Sequence, residues 1–312
     1  TVRIDEPAGS RPRRIALHLP GAYAIVEVTK ETDGMGRRRA CGRFRKECEN
    51  QDMILFLLVS FFASVAGAIC GIGGGVIIKP VLDLFQLASV STISFLSGCT
   101  VLSMSCYSVG KSMLAGEKRV NMRTGTPLAI GAAVGGVVGK QMFSALSGMF
   151  ANPNLVGSVQ AGCLAVITLG TLLYTIFKAK ITTHNMTSPL PCVLIGLVLG
   201  IFSSFLGIGG GPINLVVLYY FFSMDTKTAA ANSLYIILFS QIASLLMTLV
   251  TRTVPAFDVW TLVLMVAGGI GGGIAGRILN RRMDNKAVEK LFMILMAIII
   301  CISIYNVYNC AV

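Results

Sequence analysis

From residue 53 onward the chain is a succession of apolar runs with almost no charge inside them, which leaves few folds open. A run of about 20 apolar residues matches the hydrocarbon core of a bilayer, where backbone polar groups can be satisfied only within helices or closed barrels. Such runs fall at 53–70, 88–110, 126–147, 155–178, 189–206, 228–251, 257–279 and 288–308, with two of only 12 residues at 76–87 and 212–223. Hydrophobic residues make up 54% of the 312 and charged residues 13%, whereas soluble domains carry roughly 25% charge. The expected fold is an all-α polytopic membrane protein. An ordinary soluble enzyme is excluded.

The runs repeat. Gly71-Ile72-Gly73-Gly74-Gly75 recurs letter for letter as Gly207-Ile208-Gly209-Gly210-Gly211, each time closing a long run and opening a short one. Gly131, Gly135, Gly136, Gly139 and Lys140 recur at nearly the same offset as Gly268, Gly272, Gly273, Gly276 and Arg277. Two matches at nearly one offset point to internal duplication. Glycines four residues apart let helix backbones approach closely, a packing role for the second motif.

Charge orients the halves. The loop at 111–125 is basic and that at 148–154 is uncharged; in the second half the equivalent loops exchange, the strongly basic one being 277–290. Basic loops favour the cytoplasmic side, so equivalent loops face opposite sides. The expectation is two inverted repeats of about five segments each, at 53–178 and 189–312, joined by a cytoplasmic linker at 179–188 and each opened by a glycine-broken hairpin. The net charge of +12 reads as this loop bias rather than as a nucleic-acid surface. A multi-pass protein of the plasma membrane, with the lipid bilayer as its main partner, is expected.

Residues 1–52 stand apart as a polar basic preface holding 11 Lys/Arg and 8 Asp/Glu. Parity places Met53 and residues 309–312 outside, whereas so basic a preface should resist export. Either the preface is inside and the first hairpin adjusts, or the working protein starts at Met53. The stretch from Arg11 to Ala24 mimics a signal peptide, but its apolar part is short and interrupted by His18 and Pro20.

A glycine run within a membrane cannot hold a full helical ladder, and freed backbone groups are tolerated only in protein or beside a wet cavity. A helix restarting after each run, near Val76 and at Pro212, presents N–H groups that favour an anion. Matching broken segments in two inverted halves point to a transporter's central site; a tight ligand-free turn is the plainer alternative. The dinucleotide fingerprint fits poorly, since Val76 and Pro212 stand where its last glycine would be.

The segment GIGGGVIIKPVL from Gly71 to Leu82, after an apolar N-terminal run and with a second GIGGG half a chain later, resembles the TauE/SafE family of sulfite and organosulfonate exporters. The likeness covers roughly residues 53–310 and leaves out the preface. It implies a membrane carrier of sulfur-containing or related anions, without specifying which. The second copy departs from the first, with Leu215-Val216 in place of Lys79-Pro80.

Candidate substrate-binding residues are therefore Gly73, Gly74, Gly75, Gly209, Gly210 and Gly211 at the breaks, with Lys79, Asn214, Asn232 and Ser233 beside them. Lys79 lies in a short segment within the membrane, where an ionisable group suggests function; Asp83 at i+4 offers a plain ion-pair partner. Lys140 and Arg277 either face anions in a vestibule or snorkel to the interface. Ser97, Thr100, Ser103 and Tyr107 form a polar stripe, as do Ser240, Gln241 and Ser244 in the other half.

Two histidines and scattered cysteines give no metal spacing, so no metal or cofactor is expected. No Ser/His, HExxH or paired Asp constellation supports an enzyme. All six acids after residue 52 sit in loops or near segment ends, which leaves a carboxylate relay at the bilayer centre unsupported. A small anionic substrate is the expected partner. A coupling ion, H⁺ or Na⁺, and a homo-oligomer stay open, as does a gated anion channel using the same site.

Overall fold

Each apolar run becomes a helix, and the ends are set by caps and breaks. This computed structural model describes residues 13–19, 22–28, 34–85, 87–116, 120–149, 153–186, 188–208 and 210–311, with side chains from Asp52 onward at nearly all of these positions. The described helices are α1 (Gly34–Cys70), α2 (Gly75–Phe85), α3 (Val90–Leu114), α4 (Met122–Met149) and α5 (Pro153–Phe177), followed by α6 (Pro189–Phe205), α7 (Pro212–Phe222), α8 (Thr226–Val250), α9 (Val259–Arg282) and α10 (Asn285–Ala311). Ser89, Asp225 and Asp258 cap α3, α8 and α9, their side-chain oxygens accepting from the N–H of Thr92, Thr228 and Thr261. Pro189 and Pro212 open α6 and α7, where a missing N–H costs nothing.

Seven helices among the described residues hold segments long and apolar enough to cross a membrane, in α1, α3, α4, α5, α8, α9 and α10. The chain is a multi-pass helical membrane protein. Its outward apolar side chains, such as Phe62, Val166, Leu173 and Ile298, suit lipid contact. Helices α2 and α7, of 11 residues each, are too short to span. The preface differs from a featureless tail: β1 (Arg13–Leu19) pairs antiparallel with β2 (Ala22–Val28) over the stretch that mimics a signal peptide, and α1 starts at Gly34 rather than near 53. The side chains there lie outside the described residues.

Partners exchange between the halves. Helix α4 packs on α6 as α9 packs on α1, α4 meets α8 as α9 meets α3, and α2 meets α10 as α7 meets α5. The spaced glycines make the closest of these contacts. Gly131, Gly135 and Gly139 lie against the backbone of Val193, Leu197 and Ile201, while Gly268, Gly272 and Gly276 lie against that of Leu57, Phe61 and Val65. A Cβ at five of them would run into a main-chain atom, and at Gly268 into the Ser60 hydroxyl. The packing role expected for this motif is the one seen. Around the breaks, Ile72, Val76, Leu206, Ile208, Leu215 and Leu218 form the largest buried cluster.

Candidate functional site

The glycine runs interrupt helices where the sequence pattern places them. Helix α1 ends at Cys70, Gly71 and Gly73 take φ of 76° and 68°, and α2 restarts at Gly75. Helix α6 ends at Phe205, Gly207 and Gly210 take φ of 66° and 135°, and α7 restarts at Pro212 with Gly211 as its N-cap. These left-handed values explain glycine at four of the positions. Gly209 lies outside the described residues.

The two breaks meet. Gly75 sits against the backbone of Ile208, and a Cβ there would also come within 2.9 Å of Ser97 Oγ. Each break touches an early turn of a helix in the opposite half: Gly71 packs on Ala230 of α8, and Gly207 on Ser94 of α3. Gly74 lies against the α1 backbone at Ala63 and Ser64. Gly75 thus meets the second break at Ile208, with Gly73 and Gly74 just before it in the chain, and with Gly210, Gly211 and Asn214, the third residue of α7, just after Ile208.

Polar side chains gather on these elements. Ser94, Ser97, Ser204, Asn214, Ser233 and Ser240 are all buried, and their hydroxyl or amide oxygens meet no hydrogen-bond partner among the described residues. Buried polar groups are normally paired, so this set is hydrogen-bonding capacity that the fold leaves unused. Ser97 and Ser233 are equivalent positions of α3 and α8. Ser240 belongs to the polar stripe expected from the sequence, whereas Ser94 and Ser204 escaped sequence reasoning as site members; their signal was hydroxyls in apolar runs near a break.

Two candidates are otherwise engaged. Asn232 accepts from the Asn121 N–H at 3.1 Å and donates to the Thr228 carbonyl at 2.8 Å, tying α8 to the start of α4. Lys79 is buried, donates to Gln160 Oε1 and faces Asp83 at 3.9 Å. It lines a small cavity with Asp83, Gln160, Ser303 and Asn306, bounded by α2, α5 and α10 as well as Ile208. Gln160 in turn donates to the Phe205 carbonyl at 2.7 Å, just before the second break. Sequence reasoning missed Gln160, an amide inside an apolar run. The equivalent of Lys79, Leu215, is a buried apolar side chain.

Among the described residues no group of three or more His, Cys, Asp or Glu is placed to hold a metal ion. Protein-family comparison matches residues 56–303 to the model described as Sulfite exporter TauE/SafE. No curated protein and no solved structure matches the chain. The match spans both glycine breaks, beginning within the first membrane-crossing segment and ending within the last, and the chain belongs to the sulfite exporter TauE/SafE family, a family of membrane transporters.

Proposed function

We propose that this protein carries a small sulfur-containing oxyanion, such as sulfite or an organosulfonate, across the plasma membrane, and binds it where the two helix breaks meet. The observation that carries this reading is the contact between the breaks within a set of buried, unpartnered hydroxyls. An oxyanion sheds its hydration on entering such a site, and hydroxyl donors with the starts of α2 and α7 replace it. Gly73, Gly74, Gly75, Gly210 and Gly211 allow the close approach, with Gly209 assigned the same part by its place in the motif. Asn214 and Ser233 contact the anion, Asn232 fixes the start of α4, and Lys79 adds positive potential from the far side of α2.

In this reading residues 53–178 and 189–312 are inverted repeats joined by the linker 179–188. The exchange of helix partners between halves supports it, as does the exchange of basic loops. Transport then alternates access by moving one set of helices against the other around the breaks.

Flux of radiolabelled sulfite, sulfoacetate, taurine and sulfate in reconstituted vesicles tests the proposal, with and without pH and Na⁺ gradients. Saturable flux of at least one of these anions is expected, and a response to a gradient identifies the coupling ion. Flux that never saturates and rises steeply with voltage would instead establish a channel, and absence of flux for all four would remove the substrate class.

A further inference from the structure

Two cavities flank the breaks, and they are built from equivalent residues. One is bounded by Lys140 and Phe143 of α4, Ser94 of α3, Ser204 of α6, Gly207 and Gln241 of α8. The other has Arg277 and Asn280 of α9, Ala230 of α8 and Ala68 of α1 at the matching places. The first uses the start of α3 and the end of α8, and the second uses the end of α3 and the start of α8. The two helices therefore run antiparallel with a cavity at each end, separated by roughly 21 Å along α3 at 1.5 Å per residue.

Their chemistry differs. Where the second cavity has Ala230 and Ala68, the first has Ser94 and Ser204, each over nine-tenths buried and with no hydrogen-bond partner among the described residues. Arg277 donates through Nη1 to the Ser108 carbonyl at 2.8 Å, which ties α9 to α3. Lys140 instead holds its ammonium 5.2 Å from the centre of the Phe143 ring. The two ion pairs given by the described side chains, Lys79 with Asp83 and Lys178 with Glu289, do not involve it. Lys140 also lies six residues inside the end of its membrane-crossing segment at Leu146, roughly 9 Å of helix rise.

We propose that the Lys140 cavity is a binding site for a small oxyanion, with the Lys140 ammonium as counter-charge and the Ser94 and Ser204 hydroxyls as donors. It forms one end of the path whose middle is the helix breaks, and it rests on the reading of those breaks as an anion site. Gly207 borders the cavity and belongs to the second break, so an anion leaving Lys140 reaches the break without crossing another helix. By the basic-loop rule this end faces outward and the Arg277 end faces the cytoplasm.

The test uses the full chain in vesicles of zwitterionic lipid. Acylation of each lysine by a small amine-reactive reagent is followed by mass spectrometry with and without millimolar sulfate or methanesulfonate, which do not consume the reagent. Lys140 should react several-fold more slowly with the anion present, while Lys178 is unchanged. In flux assays Lys140→Gln should raise KM about tenfold, the scale of one charge-assisted hydrogen bond, with Lys140→Arg intermediate. Ser94→Ala with Ser204→Ala, which installs the residues of the other cavity, should raise KM while the protein still folds.

An unchanged Lys140 rate in the presence of anion, or a Lys140→Gln variant with wild-type KM, would overturn the proposal. Protection of Lys140 without any flux would leave this site standing and remove the transport reading. If a parallel preparation in anionic lipid slows Lys140 with no anion added, and sulfate slows it no further in either lipid, a headgroup occupies the cavity, which would overturn it as an end of the path.

Discussion

Gly75 of α2 packs against the backbone of Ile208, so the two helix breaks meet with no side chain between them. A methyl group at Gly75 would collide with main chain that cannot rotate away, and overpacking of this kind costs about 1–3 kcal/mol. If the meeting point is the transport site, that strain falls where the anion binds. Gly75→Ala is expected to insert and fold but to lower flux about tenfold. Gly110→Ala and Gly170→Ala, whose Cβ would meet nothing within 4 Å, should match wild type. Equal flux in all three variants would separate the breaks from transport.

The spaced glycines of α4 and α9 make a different prediction, about stability rather than binding. At Gly135 a Cβ would press on the backbone of Leu197 and Ile201, and at Gly272 on that of Phe61 and Val65. Gly135→Val and Gly272→Val should each destabilise by about 1–3 kcal/mol or more, because the helices must separate. Melting of the purified protein followed by size-exclusion fluorescence measures this. A melting temperature equal to wild type in both variants would mean that these helix pairs do not set stability.

How much of this was legible in the sequence can be judged from particular residues. The ten segments and both breaks follow from apolar runs and glycine, since a bilayer permits little other than helices there. The pairing of Lys79 with Asp83 also follows, from i+4 spacing on one helix. Gln160 as the other partner of Lys79 does not, because it comes 81 positions later on α5 and only packing brings it near. The likeness of the Lys140 and Arg277 positions was readable, but not the Ala-for-Ser differences around them, which come from four other helices. The β1–β2 hairpin was hidden because its few residues compete with a charge pattern that suggests a tail.

Lys79 and Asp83 test whether a buried charge on α2 acts on the anion or only on its neighbour. Lys79→Met leaves the Asp83 carboxylate without its opposite charge, and breaking a buried pair in this way costs about 3–5 kcal/mol. Lys79→Met combined with Asp83→Asn removes both charges and should recover most of that stability. The double variant is expected to transport with KM raised several-fold, since the positive potential behind α2 is gone while the break is intact. Complete loss of saturable flux in a well-folded double variant would make Lys79 a direct ligand instead.

Asp258 carries a prediction about acid stability that is independent of transport. It accepts from the Thr261 N–H at 2.7 Å and from the Thr261 hydroxyl at 3.0 Å, and these bonds, the backbone one foremost, hold its carboxyl below the usual 3.8. A carboxyl whose folded pKa is depressed binds fewer protons folded than unfolded, so its stabilisation is complete above the unfolded pKa. It is lost as pH falls below 3.8 and through the folded value. Asp258→Ala should therefore cost about 1 kcal/mol of α9 capping near neutral pH. The gap between wild type and variant should shrink as melting is repeated at pH values stepped down below 3.8, once the wild-type carboxylate protonates. Asp225 caps α8 in the same way; burial pushes its carboxyl up, but hydrogen bonds from Thr228, Asn285 and Lys227 lower it by more. Asp225→Ala should show the same narrowing, and a gap that stays constant in both variants would show that the caps act through shape and not through charge.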